Sequence, residues 1–120
     1  MSERRTASGT TLHLVPEPYW STFAGKKEYT PEAFAEEGFI HTTHGDDMVI
    51  TVANMFYTSD PRAYIVLTID LDRVEAETVY EDPDDRFPHI YGPLNLDAVT
   101  GLRRIMREPS GRFTGIGEDL

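Results

Sequence analysis

Histidine is the residue type in this chain best suited to acid–base chemistry. It occurs at His13, His41, His44 and His89. Imidazole exchanges a proton near neutral pH, so it often serves as a general acid or base. His89 is followed two positions later by Tyr91, inside the stretch Phe87–Leu94. In a strand that spacing places both side chains on one face, which predicts a patch able to hold or protonate a flat ligand.

Three of the histidines, His13, His41 and His89, lie in apolar, strand-like stretches. A single histidine in a strand is most simply explained as a ring at the edge of the core, hydrogen-bonded to backbone. Three in the same kind of context favour a shared pocket instead. Both interpretations stay open at this point.

Composition narrows the classes of function. The chain has 120 residues, enough for one domain with one core, and a formal net charge of -10 from 21 acidic and 11 basic residues. Such a surface repels phosphate backbones and anionic bilayers, so neither nucleic acid nor a membrane surface is an expected partner. With no cysteine there is no disulfide, thiolate nucleophile or cysteine-type zinc site. No long apolar run or secretory signal is present, so we expect a cytoplasmic protein.

Periodicity predicts a single α+β domain over residues 11–106, with its helices mainly in the N-terminal half. Residues 1–10 and 107–120 are polar or rich in glycine and charge, and they predict terminal tails. The predicted helices cover residues 17–24, 30–38 and 46–57. The predicted strands cover residues 11–15, 39–42, 63–69 and 98–106, with weaker pieces near 74 and 79–80 and the His89–Tyr91 segment as a later strand. The continuous apolar run at 63–69 favours a strand buried on both faces.

Three motifs occur in order along the chain: Leu12–Pro16, Gly38–Thr43 and Arg86–Asp97. Together they resemble the bacterial family called domain of unknown function 952, from about residue 11 to about residue 105. Members of that family look like the ADP-ribosyltransferase fold. The resemblance therefore implies two small, strongly bent sheets that hold a cleft between them, with helices packed outside.

The resemblance also implies roles for individual residues. It suggests His13, Thr43 and Tyr91 as substrate-binding residues, and His89, Glu81 and His41 as catalytic ones. In that scheme His13 holds a ribose, and Glu81 stabilises an oxocarbenium-like transition state. Glu81 is more simply explained as a solvated acid at the head of an acidic loop. A site based on His89 would resemble the RNA 2'-phosphotransferase branch of the fold.

The expected function is that of an ADP-ribosyltransferase-like enzyme acting at the ribose of a nicotinamide dinucleotide or a related nucleotide. The reaction could be glycosidic cleavage, ADP-ribosyl transfer or a phosphate transfer. No resident cofactor is predicted, and NAD is the candidate substrate or ligand. One alternative is a non-catalytic domain that binds a small metabolite in the same cleft. Another is a metal site of histidines with Glu81 or Asp82, although no pair has a recognised chelating spacing. Oligomeric state is left open.

Overall fold

The computed structural model describes residues 5–120, and they form an α+β fold with few helices. The helices are α1 (Glu17–Trp20), α2 (Phe34–Glu37) and α3 (Asp46–Phe56), with 3-10 turns at Ser21–Phe23, Leu71–Arg73 and Leu96–Ala98. The strands are β1 (Arg5–Thr6), β2 (Thr10–Pro16), β3 (Glu28–Tyr29), β4 (Ile40–His41), β5 (Tyr64–Asp70), β6 (Glu77–Tyr80), β7 (Pro88–Tyr91), β8 (Leu94–Asn95), β9 (Val99–Arg107) and β10 (Phe113–Asp119). Within residues 5–120, all three α-helices precede residue 57, as the sequence predicts.

The strands of the described part of the chain form two four-stranded antiparallel sheets and one small pair. Sheet A has the order β1-β6-β7-β4, sheet B has the order β10-β9-β5-β2, and β3 pairs with β8. A bridge between Leu12 and Thr43 joins β2 of sheet B to the chain just after β4 of sheet A. Because of this bridge, residues from the two sheets meet at one place, next to the first two helices.

Strand β5 lies inside sheet B, between β2 and β9, and both of its faces are buried. Ile65, Leu67 and Ile69 enter one apolar cluster, while Tyr64 and Val66 enter a second cluster under α3. This alternation is what a strand buried on two sides requires, and it confirms the prediction for residues 63–69.

The C-terminal tail predicted for residues 107–120 is wrong, because β10 pairs with β9. Phe113 is buried in the cluster under α3, and its backbone N–H and C=O both bond to the Asn54 side chain, at 2.8 and 2.9 Å. The glycines and charges of this stretch are typical of a loop, and they give no indication of the contacts that Phe113 makes.

The N-terminal tail predicted for residues 1–10 is wrong for the part that the structure describes. Strand β1 pairs with β6, and the Arg5 guanidinium bonds to the Asp85 carboxylate and to the Asp82 carbonyl. Residues 1–4 lie outside the described part of the chain. Short-range sequence patterns do not show a partner that lies more than seventy positions away along the chain.

Two helix details also differ from expectation. Helix α2 begins at Phe34 rather than near Thr30, and it ends at Glu37, just before Gly38, whose φ of 79° is the left-handed conformation that glycine tolerates. Phe56 shares the three-and-four-residue spacing of Val49, Val52 and Ala53, which predicts the same buried helix face, but it is 65% exposed. Among residues 5–120, no helix has the length and apolar character needed to cross a membrane.

Candidate functional site

A cavity of about 130 Å³ lies where sheets A and B meet. Its lining comes from β2, from the segment that runs from Tyr29 through α2, from the end of β4 and from α3. The short strands and tight turns of this region bring residues together that are far apart in sequence. Most of the lining is aromatic or apolar, with a few polar groups among it. That mixture is typical of small-molecule sites.

His13 forms the floor of this cavity and is only 6% exposed. Its Nδ1 lies 2.7 Å from the backbone carbonyl of His41, and its Nε2 lies 2.8 Å from the Tyr29 hydroxyl. A carbonyl only accepts, so Nδ1 carries the hydrogen and Nε2 accepts from the phenol. Burial lowers the pKa of His13 to about 4, so the ring stays neutral at physiological pH.

His41 forms the rim of the same cavity, and its side chain is 53% exposed. Its Nε2 lies 2.8 Å from a carboxylate oxygen of Glu37, four residues earlier. The left-handed turn at Gly38 ends α2 and leads the chain directly into β4, which allows this contact. With Nε2 donating to Glu37, Nδ1 is the nitrogen with a lone pair available for a proton.

Thr43 and Tyr57, which also line the cavity, both carry a hydroxyl group. Both backbone polar groups of Thr43 bond to Leu12, at 2.8 and 2.9 Å, and this fixes the residue at the junction of the sheets. Burial raises the pKa of the Tyr57 phenol, and the nearby charge of Glu37 adds to the shift. Tyr57 is therefore a neutral hydroxyl that can hydrogen-bond to a ligand.

An ion-pair group fixes one wall of the cavity. Arg62 bonds to both oxygens of Glu32, at 2.9 and 3.1 Å, and also to Asp60, which accepts a further bond from the Tyr64 hydroxyl. The guanidinium of Arg62 holds the pKa of Asp60 well below its usual range. Glu32 and Tyr64 line the cavity, so this group links its wall to the α3–β5 loop.

His89, Tyr91 and Glu81 form a second group on sheet A, which we call the outer group. His89 Nδ1 lies 3.0 Å from a Glu81 oxygen, and the Tyr91 hydroxyl donates to the same oxygen. Phe39 stacks on the His89 ring with a centroid separation of 4.3 Å. The shared face predicted for His89 and Tyr91 fits their alternate positions in β7.

The outer group adjoins the cavity without lining it. His41 is paired with His89 in the sheet, and their ring centroids are 5.3 Å apart. The structure therefore brings together His13, His41 and Thr43 around one cavity and places the outer group beside its rim. The fourth histidine is elsewhere: His44 bonds to the Thr10 carbonyl and the Tyr80 hydroxyl, at 2.9 and 2.7 Å.

Sequence reasoning missed the carboxylates of the cavity. Glu37 has one usable signal, its spacing of four residues before His41, which is a common spacing for paired side chains. Glu32 and Tyr29 carry no such signal, because they reach the site through the pairing of β3 with β8 and the ion pair with Arg62. Within residues 5–120, no three histidine or acidic side chains are grouped so that they could hold a metal ion.

Solved structures show where the fold recurs. Protein CC0527 from Caulobacter crescentus has a crystal structure that matches with a TM-score of 0.73 at 18% identity, covering 88% of this chain and 93% of that chain. The crystal structure of a double mutant of CC0527 gives the same values. The solution structure of CC0527 matches with a TM-score of 0.61 at 16% identity, covering 91% of each chain. At this identity the likeness establishes the fold alone.

No curated protein matches the chain. One protein family does match, over residues 14–102, and its description is protein of unknown function (DUF952). The match spans all three motifs for most of their length and covers well over half of the chain. The chain belongs to the DUF952 family.

Proposed function

We propose that this protein binds the nicotinamide–ribose end of a pyridine nucleotide in the cavity between sheets A and B, and that His41 with Glu37 promotes cleavage of the glycosidic bond. The observation that supports this most is the position of the His41–Glu37 pair on the rim of a ring-sized cavity. The choice of a nucleotide as the ligand rests on the resemblance of the family to the ADP-ribosyltransferase fold.

The size of the cavity limits what can enter it. Its volume of about 130 Å³ is close to the ~150 Å³ of an engineered protein cavity that takes up benzene. One aromatic ring therefore fits inside, while a ribose and its phosphates would remain at the mouth. The reacting bond between ring and ribose would then lie near the rim, where His41 is.

The proposed reaction uses water and releases nicotinamide. As the bond from C1 of the ribose to the ring nitrogen breaks, its electron pair leaves with the ring, which becomes neutral nicotinamide. Water adds to C1, and His41 Nδ1 accepts one proton from that water. The carboxylate of Glu37 stabilises the imidazolium that forms and the positive charge that develops on the ribose.

The remaining residues of the expected site have supporting roles in this proposal. His13 holds the His41 backbone and Tyr29 in place and does not itself contact the ribose, because both of its ring nitrogens are engaged. Thr43 offers a hydroxyl to the ring substituent. The outer group of His89, Tyr91 and Glu81 packs beside His41 and orients it, with no direct part in the reaction.

The test measures binding and turnover separately. NAD at a hundredfold excess over its dissociation constant should raise the melting temperature by several degrees, because a ligand of the folded state adds about 2.7 kcal/mol at that excess. Chromatography should then show free nicotinamide accumulating with time. His41→Gln should reduce that rate by about a hundredfold or more while leaving the melting-temperature shift in place.

The matched control is Glu36→Gln, which removes an exposed charge of α2 next to Glu37 but outside the cavity lining. This variant should release nicotinamide at the unmodified rate. No shift in melting temperature with NAD, nicotinamide mononucleotide or nicotinamide would contradict the proposal.

A non-catalytic binding domain is the second candidate. It is favoured by the engagement of both His13 ring nitrogens, which leaves His41 as the one imidazole of the cavity lining with an available nitrogen among the described residues. A clear rise in melting temperature with no nicotinamide released over a day would favour this candidate over the enzyme.

A further inference from the structure

Two histidines lie side by side on sheet A. His41 of β4 and His89 of β7 are directly opposite each other in the antiparallel pairing, so their side chains project from the same face of the sheet. Their ring centroids are 5.3 Å apart. Two imidazoles that bind one tetrahedral metal ion through nitrogen, at about 2.0–2.1 Å, have ring centres roughly 5 Å apart. The separation of the two rings therefore suits a shared ion.

Each of the two rings is held by a carboxylate of its own. His41 Nε2 lies 2.8 Å from a Glu37 oxygen, and His89 Nδ1 lies 3.0 Å from a Glu81 oxygen. Because an ionised carboxylate only accepts, both of these nitrogens carry hydrogen, and the lone pairs are on His41 Nδ1 and His89 Nε2. A histidine that binds a metal ion usually donates its other N–H to a carboxylate in this way. That bond fixes the tautomer and makes the remaining nitrogen a stronger ligand.

Both nitrogens with a lone pair are open to an incoming ion. Neither His41 Nδ1 nor His89 Nε2 has a hydrogen-bond partner among residues 5–120. In the same part of the chain every fully buried side-chain nitrogen or oxygen has a partner, so His89 Nε2 is in contact with solvent. The side chain of His41 is 53% exposed. An ion can therefore reach both nitrogens from water.

The surroundings hold His89 in place and favour a cation. Phe39 stacks on the His89 ring, and the Tyr91 hydroxyl donates to the Glu81 oxygen that accepts from His89. Side chains held in this way lose less conformational entropy when a ligand binds. The carboxylates of Glu37 and Glu81 lie next to the two rings and offset the charge of a divalent ion.

We propose that His41 and His89 together bind one divalent transition-metal ion such as Zn²⁺, with water completing its coordination. Imidazole nitrogen suits zinc, copper and nickel, whereas Mg²⁺ and Ca²⁺ require oxygen ligands. Glu37 and Glu81 act on the ion through the imidazoles that they hold. The site lies at the rim of the cavity and requires no nucleotide. Since His41 Nδ1 is also the proton acceptor of the proposed reaction, a bound ion would block that step.

Calorimetric titration of the full chain with Zn²⁺, without any nucleotide, tests the site directly. Zn²⁺ should bind with a stoichiometry of one per chain, and Mg²⁺ at the same concentration should give no heat. His41→Gln and His89→Gln should each weaken the affinity for Zn²⁺ by about tenfold or more, because each removes one of the two protein ligands. Glu81→Gln should weaken it about tenfold with the stoichiometry unchanged, because Glu81 positions a ligand and is not one itself.

His44→Gln is the matched control. Both ring nitrogens of His44 bond within the protein, at 2.9 and 2.7 Å, so this variant should bind Zn²⁺ with unchanged affinity. Binding that survives both His41→Gln and His89→Gln, or that only one of them weakens, would overturn the shared site.

The comparison of Zn²⁺ with Mg²⁺ on the unmodified protein decides the question even where a variant fails to fold. No heat with Zn²⁺ would overturn the inference, and so would equal binding of the two ions, because imidazole would then not be the ligand. The outcome is separate from that of the proposed function. A protein that binds Zn²⁺ and neither binds nor cleaves NAD would support the metal site and reject the nucleotide.

Discussion

The floor and the rim of the cavity each present a histidine, and the two have opposite surroundings. His13 on β2 is buried, and both ring nitrogens have partners within the protein. His41 on β4 is half exposed, and a single ring nitrogen is engaged, by Glu37. The two residues are joined directly, because His13 bonds to the backbone carbonyl of His41.

This contrast shows how the role of a histidine follows from its hydrogen bonds. A neutral imidazole has one donor and one acceptor, and His13 meets one acceptor and one donor. Burial of the neutral ring is therefore favourable, and a proton added to Nε2 would break its hydrogen bond with the Tyr29 hydroxyl. An exposed ring with one free nitrogen can exchange protons with water or a ligand. We therefore expect the floor to govern stability and the rim to govern activity.

The largest expected effect is the loss of stability in His13→Ala. The substitution leaves the His41 carbonyl and the Tyr29 hydroxyl without partners, and each such group in the interior costs about 1–3 kcal/mol. The free energy of unfolding in urea should fall by about 3 kcal/mol, whereas His41→Ala should change it by less than about 0.5 kcal/mol. Similar losses in the two variants would contradict the division between floor and rim.

The second effect is a dependence of the free energy of unfolding on pH, which arises because burial lowers the pKa of His13. Its pKa is lowered by burial from 6.5 in the unfolded chain to about 4 in the folded one. The unfolded chain therefore binds the proton more strongly, and the free energy of unfolding should fall by up to about 3 kcal/mol as the pH drops from 6.5 to 4. Above pH 6.5 this contribution is complete and constant.

Urea titrations at several pH values measure this slope. The carboxylate of Asp60, whose pKa Arg62 lowers, loses most of its contribution below its unfolded value of 3.8, so the slope between pH 5 and pH 6.5 belongs to His13. His13→Gln should flatten the curve between pH 4 and 6.5. An unchanged slope in that variant would mean that another group is responsible.

The fold could be predicted from the sequence where the pattern was local. The apolar run of β5, the helix predicted over residues 46–57 and the alternation of His89 and Tyr91 on β7 all appear in the structure. Strand β10 could not be found this way. Its anchor, the pair of hydrogen bonds between Asn54 and Phe113, joins residues 59 positions apart and leaves no local pattern.

For the site, too, the local features of the sequence were informative and the long-range contacts were not. Histidine content and context suggested a shared pocket, and His13 and His41 do meet there. Which of them is buried and satisfied could not be predicted, because it depends on Tyr29 and on the approach of sheet A to sheet B. Likewise, Glu81 lies beside His89, and it is Glu37 and Glu32 that line the cavity.

The smallest expected effect concerns the outer group, which tests whether the rim histidine, His41, is the one that governs activity. His89 stacks on Phe39 and pairs with Glu81, yet it does not line the cavity. His89→Gln should lower the free energy of unfolding by about 1 kcal/mol, through the lost ring contact, and reduce nicotinamide release by less than about tenfold. A direct acid–base role would instead reduce the rate by about a hundredfold or more at unchanged binding. Such a result would move the chemistry from the His41 rim to the outer group, and His41→Gln would then be the milder of the two variants.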